Sequence, residues 1–290
     1  MKNKLSTIWS ILSYPTLFIV IQLGVSLIWV IDAAFRHFFV AGLVGYDASE
    51  VDAVAVLADI NLAMIALVSG ALTLFVMWLI LRKEWRAQRF WKASGISVRG
   101  VILCALIGFS MNFFLSMLIA LTEIYTLFPE HEVLMEALST GPLIIRILSI
   151  AVMASVVEEV VFRGIILKRL MDMSISFHIA NVIQAFLFGL IHFNVLQSAY
   201  AFLIGIAFGL VYAKFKTIWA PIIMHTTFNL LSVLAAYFVG NYYGYNYYTD
   251  IYDSPEGSLA IMVISFAITA LLGTGIYKMQ VTDDTILEEE

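Results

Sequence analysis

Eight stretches of about 20 mostly apolar residues follow one another along this chain, joined by short polar links, and this succession restricts its fold more than any other feature. A hydrocarbon layer about 30 Å thick and a helical rise of 1.5 Å per residue make each stretch the length of one crossing. The runs lie near 8 to 31, 54 to 81, 100 to 122, 143 to 167, 177 to 193, 196 to 213, 217 to 239 and 258 to 278. Composition agrees: 62% of residues are hydrophobic and 13% charged, against about 45–50% and about 25% in soluble domains. The expected fold is all-α, a polytopic integral membrane protein of about eight transmembrane helices. A cytosolic globular enzyme is excluded. The net charge of -5 provides no basic stripe, so nucleic acid is not an expected partner. Cys104 is the only cysteine, which leaves no disulfide framework and no thiolate zinc site.

Orientation follows from the cations, which concentrate in cytoplasmic loops. With the N-terminus inside, only Arg36 and Arg146 fall outside, and both termini are cytoplasmic. Lys2 and Lys4 precede the first run like a signal peptide, but that run exceeds a signal's apolar core and is read as a retained helix. The link from Arg82 to Ile96 mixes basic and aromatic residues, as a segment on the inner headgroups would. Tyr242, Tyr243, Tyr245, Tyr247, Tyr248 and Tyr252 suit the outer membrane–water boundary, and the acidic tail suits solvent. Ala201, Gly205, Gly209 and Ala213 form a strip for close helix packing. The chain divides into N-terminal helices with the amphipathic link (1–145), a core (146–231) and a last helix with its flanks (232–290), all within one structural domain.

Three ionisable residues break the apolar pattern. Glu158, Glu159 and Arg163 lie at or near membrane depth, where each costs about 2.5–3.5 kcal/mol unless paired or turned to a cavity. Glu159 and Arg163 stand four residues apart on one face, the favoured order for an ion pair. Glu158 is turned about 100° away, so one acid is paired and one is left over. His192, His225 and Asn229 close the polar set. Each histidine alone reads as a hydrogen-bonded core or boundary residue, and Asn229 as helix glue. Counted from the inner edge, Glu158 lies about 16 Å deep, His192 about 22 Å, His225 about 12 Å and Asn229 about 18 Å, with His192 the poorest fit to a common chamber. A carboxylate, two imidazoles and a carboxamide supply a base, proton carriers or metal ligands, and an oxyanion donor.

At these residues the chain resembles the CAAX protease and bacteriocin-processing intramembrane proteases, also called the Abi family. Their three motifs read here Glu158-Glu159-Val160-Val161-Phe162-Arg163, Phe188-Gly189-Leu190-Ile191-His192 and His225-Thr226-Thr227-Phe228-Asn229, within roughly Arg146 to Leu231. The resemblance implies an intramembrane endopeptidase acting on a membrane-associated peptide or protein. It makes Glu158 the general base, has His192 hold the water or a metal, has His225 and Asn229 stabilise the oxyanion, and gives Glu159, Arg163 and Phe188 supporting places. Zinc held by Glu158, His192 and His225 stays open, although no His-Glu-x-x-His pattern preorganises it, and a water activated without metal is favoured. A bacterial plasma membrane is the expected location. Bacteriocin immunity or a scaffold without catalysis is the alternative; a transporter is disfavoured because paired halves with broken helices are not found.

Overall fold

The computed structural model describes residues 4–44, 56, 59–87, 90–91, 96–243 and 255–278. Among them there is no β-strand. Helices satisfy their own backbone groups, which lipid cannot do for them. We number the longer ones α1 (Lys4–Val44), α2 (Leu62–Ala87), α3 (Val98–Thr122), α4 (Pro129–Leu138), α5 (143–172), α6 (Phe177–Leu190), α7 (Val195–Phe215), α8 (Trp219–Tyr243) and α9 (Pro255–Lys278). The Tyr-rich segment beyond Tyr243 and the acidic tail lie outside the described residues, as do the side chains of Tyr242 and Tyr243.

Among the described residues six helices are long and apolar enough to cross a membrane: α1, α2, α3, α7, α8 and α9. The exact count of eight crossings is not confirmed, because the two remaining runs are irregular or short. α5 is continuous but contains two π-helical stretches, Ile147–Ala154 and Val160–Leu167. α6 has only 14 residues and spans about 21 Å, short of the hydrocarbon thickness. Its chain turns back at 191–194, with Phe193 left-handed at φ 51, so α6 and α7 form a helical hairpin with His192 at its tip. α1 runs well past the expected boundary at residue 31. An Arg36–Asp32 pair at 3.0 Å and His37 bonded to Asp59 at 2.9 Å accompany that extension.

Burial sorts the bundle. α1 and α9 carry mostly exposed apolar side chains, the expected lipid face, whereas Phe162, Phe188, Phe208, Met77, Met117 and Met224 are fully enclosed. Phe90 and Trp91, described residues of the aromatic link, pack against the bundle. Phe90 stacks on Trp85 at 5.0 Å and covers Gly164, and Trp219 Nε1 donates to the Trp91 carbonyl at 3.0 Å.

α3 sets the position of α8. Asn112, buried in an apolar helix, donates from Nδ2 to the Phe228 carbonyl at 3.0 Å and to Ser232 Oγ at 2.8 Å. Gly108 lets the two backbones meet, since a Cβ there collides with the Met224 carbonyl. Gly108→Ala is therefore expected to push α8 outward, costing about 1–3 kcal/mol by overpacking and moving His225 one residue away. A lowered Tm in detergent would be the reading; an unchanged Tm would contradict it.

Candidate active site

The site is assembled on α5, where the turn Ser155–Glu159 is ordinary α-helix between the two π-helical stretches. Such widened turns recur at functional sites because they redirect backbone carbonyls. Here the Ile150 carbonyl accepts from Asn229 Nδ2 at 3.1 Å, and Asn229 Nδ2 also reaches Ser155 Oγ at 3.3 Å. Ser155 in turn donates to the Ala151 carbonyl at 2.7 Å. The carboxamide thus ties α8 to the turn that carries both glutamates. Its N–H groups are engaged, so the expected oxyanion donor is occupied as it stands.

Glu159 is enclosed and holds two partners on one oxygen. Its Oε1 accepts from Arg163 Nη1 at 2.8 Å and lies 2.8 Å from His225 Nδ1. Arg163, equally enclosed, donates from Nη2 to the Gly205 carbonyl at 2.9 Å. Its guanidinium also sits 4.6 Å from the Phe188 ring centroid and 5.1 Å from that of Phe208. Ring faces attract a desolvated cation, which makes a buried guanidinium tolerable. Glu159 Oε2 and Arg163 Nε are buried with no hydrogen-bond partner among the described residues.

The second acid is placed differently, in accord with the expected pairing of Glu159 and not Glu158 with Arg163. Glu158 keeps 12% of its side chain accessible, and its Oε2 lies 3.7 Å from His225 Nε2, beyond hydrogen-bond length. Because a carboxylate only accepts, the bond to Glu159 assigns the proton of neutral His225 to Nδ1 and turns Nε2 toward Glu158. Phe208 stacks on the His225 ring at 4.6 Å with a 25° interplanar angle, which holds that orientation.

His192 is brought near through Phe188 and not by direct contact. Its Nδ1 donates to the Phe188 carbonyl at 2.8 Å, which leaves Nε2 a lone pair in the neutral ring. The Phe188 ring stands edge-on to His192 at 5.1 Å and to His225 at 5.9 Å. Of the motif residues, then, Glu158, Glu159, Arg163, His225 and Phe188 form one cluster, Asn229 supports it, and His192 flanks it. The zinc set left open by the sequence is not assembled. Among the described residues no three His, Cys, Asp or Glu side chains gather as a metal requires, and His225 already spends Nδ1 on Glu159.

Sequence reading missed Phe208, Asn112, Asn181 and Gln184, and it took Gly205 only for packing. A signal existed for two of them: Asn181, Gln184 and Phe188 share one face of an apolar helix, where an amide needs a reason.

The hairpin tip is capped by α4. Asn194 Oδ1 accepts from the Gln197 backbone at 2.9 Å and lies 3.1 Å from His131 Nδ1, so the imidazole is the donor. His131 is buried, edge-on to Tyr200 at 6.1 Å. Burial lowers its pKa from 6.5, opposed in part by Asn194 and Glu130. The unfolded cap therefore takes the proton first: the contact is intact above about 6.5 and weakens as pH falls below it. Proteolysis of the 123–142 segment is expected to quicken at pH values under 6.5, and His131→Gln, which cannot titrate, to flatten that dependence. A rate indifferent to pH in both proteins would refute the assignment.

Comparison with known proteins points to the same segment of the chain. Residues 140–231 match the family described as Type II CAAX prenyl endopeptidase Rce1-like, and they contain all three motifs. A protein of Bacillus subtilis (strain 168), "Putative membrane peptidase YdiL", is 28% identical over 177 residues, covering 58% of this chain and 70% of that protein. No solved structure matches. With all three motifs inside the matched segment, residues 140–231 are similar to the Type II CAAX prenyl endopeptidase Rce1-like family, and the Bacillus relative is named as a putative membrane peptidase.

Proposed function

We propose that this protein is an intramembrane endopeptidase in which Glu158 activates the attacking water. The observation that carries the reading is the division of labour between adjacent acids. Glu159 is enclosed and committed to Arg163 and His225, whereas Glu158 remains accessible and faces His225 Nε2 across 3.7 Å. One water can touch both groups. Glu158 takes its proton as the water oxygen bonds to the peptide carbonyl carbon, and the carbonyl π electrons move to oxygen. When His225 carries a second proton, its Nε2–H is the donor for that oxyanion, and the cluster of two carboxylates, one guanidinium and one imidazolium is then neutral. Collapse of the intermediate breaks the C–N bond, and the proton held by Glu158 passes to the leaving amine. His192 Nε2 is suited to orient the water, and Asn229 holds α8 against the glutamate turn.

The substrate is a membrane-associated peptide or protein, as the family description and the lipid-facing surfaces of α1 and α9 support. Cation placement supports both termini on the cytoplasmic side and α5 and α6 as further membrane-embedded helices, and the Bacillus relative supports a bacterial plasma membrane. The test is a comparison of membrane peptides in cells carrying the wild type or Glu158→Ala. Peptides with an intact junction are expected to accumulate only with the variant. Identical peptide populations, with both proteins folded, would overturn the reading and favour an immunity or scaffold role.

A further inference from the structure

We propose that Gln184 and Asn181 are positioning residues that aim the Gly205 carbonyl at Arg163 and so hold the charge cluster in register. Both amides are buried, Gln184 fully, on the face of α6 that also presents Phe188. A buried amide costs free energy unless it is bonded, and here the N–H donors of both are spent on specific partners, while Gln184 Oε1 has none among the described residues. Asn181 Nδ2 donates to the Ile206 carbonyl at 3.1 Å. Gln184 Nε2 donates to Asn181 Oδ1 at 2.7 Å and to the Gly205 carbonyl at 3.1 Å. Gly205 oxygen is the same atom that receives Arg163 Nη2 at 2.9 Å. Two side-chain donors from different helices converge on one carbonyl, and each constrains the direction in which it meets the other.

The line of bonds then runs from Asn181 and Gln184 through the Gly205 carbonyl to Arg163, Glu159 and His225, and ends facing Glu158. Small residues on α7 make room for it. At Gly205 an added Cβ comes within 3.2 Å of Arg163 Nη2, and at Gly209 it collides with Asn181 Oδ1. The strip of small residues thus serves hydrogen-bond geometry as well as packing. Networks of this kind couple their members beyond single contacts, and misplacement by about 1 Å can cost as much as 10²-fold in rate.

The effect on turnover rests on the proposed protease reading; the coupling to Arg163 does not. Gln184→Met keeps side-chain length and removes the donor. On a peptide spanning the junction that the Glu158→Ala comparison identifies, it is expected to lower kcat about tenfold or more with KM within about twofold, since the network touches the reacting groups and not the substrate. Gly209→Ala, which displaces Asn181 without deleting a polar group, is expected to do the same, and combining the two to add little. Independently of activity, the fall in Tm caused by Gln184→Met should be at least halved in a Glu159→Gln/Arg163→Met background. An equal fall in both backgrounds would overturn the coupling. If Glu158→Gln stops cleavage while Gln184→Met keeps the wild-type kcat, the positioning role fails and the protease reading stands. If the wild type itself cleaves nothing, the protease reading fails and the stability cycle alone decides the coupling; cleavage by Glu158→Gln removes only the assignment of the base.

Discussion

Glu158→Gln is expected to lower peptide hydrolysis by about 10²–10⁴-fold, the contribution of a positioned general base, while Tm stays at the wild-type value. The two parts of this outcome have separate causes. The amide has nearly the shape of the carboxylate but cannot take a proton from water. Stability is spared because Glu158 makes no charged hydrogen bond; its partner, His225 Nε2, stands 3.7 Å away and 12% of the side chain is accessible. The comparison is purified protein in detergent, with hydrolysis and thermal unfolding followed on the same preparation. Retained hydrolysis by a folded variant would remove Glu158 from the mechanism.

The opposite pattern is expected one residue along. Arg163→Met leaves the Glu159 carboxylate enclosed with only His225 against it, and removing one partner of a buried pair costs about 3–5 kcal/mol. That is a large share of the about 5–15 kcal/mol that holds a typical domain together, so the expected result is loss of most folded protein. The double variant Glu159→Gln/Arg163→Met removes both charges and should recover much of the folded fraction, because the desolvation cost disappears with the ions. It should still lose most activity, since a neutral amide can accept from His225 Nδ1 but does not stabilise the imidazolium that the oxyanion needs. Size-exclusion recovery and Tm of the three proteins provide the check. A single variant as stable as the wild type would mean that the pair does not organise the bundle.

The contrast between these adjacent acids shows how far sequence reasoning reached. Spacing alone indicated that Glu159 and Arg163 share a face and that Glu158 is left over, because i,i+4 geometry is a local property of a helix; the 2.8 Å pair is found as expected. The role of Asn229 was less legible. Alone it read as helix glue and the family resemblance made it an oxyanion donor; the Ile150 carbonyl that engages it belongs to a π-helical stretch with no plain mark in the residue order. Gln184 and Asn181 were visible as amides in an apolar run, yet their purpose depends on a carbonyl of another helix. The count of crossings is not confirmed at α6 for a related reason. Ile191 and the residues before it are apolar enough to continue a helix, but the chain turns at the tip, where Asn194 caps α7 and receives His131 from α4.

By itself the residue order determined that the chain forms helices in lipid, since apolar runs of crossing length admit no other way to satisfy the backbone. It also determined which chemical groups the core contains and which acid pairs with the arginine within its own helix. The tertiary structure decided the tautomer of His225, the engagement of Asn229, the shielding of Arg163 by Phe188 and Phe208, and the scattering of the prospective zinc ligands. Those outcomes join groups tens of residues apart, and no periodicity within one helix specifies which lone pair or ring face of another will meet it.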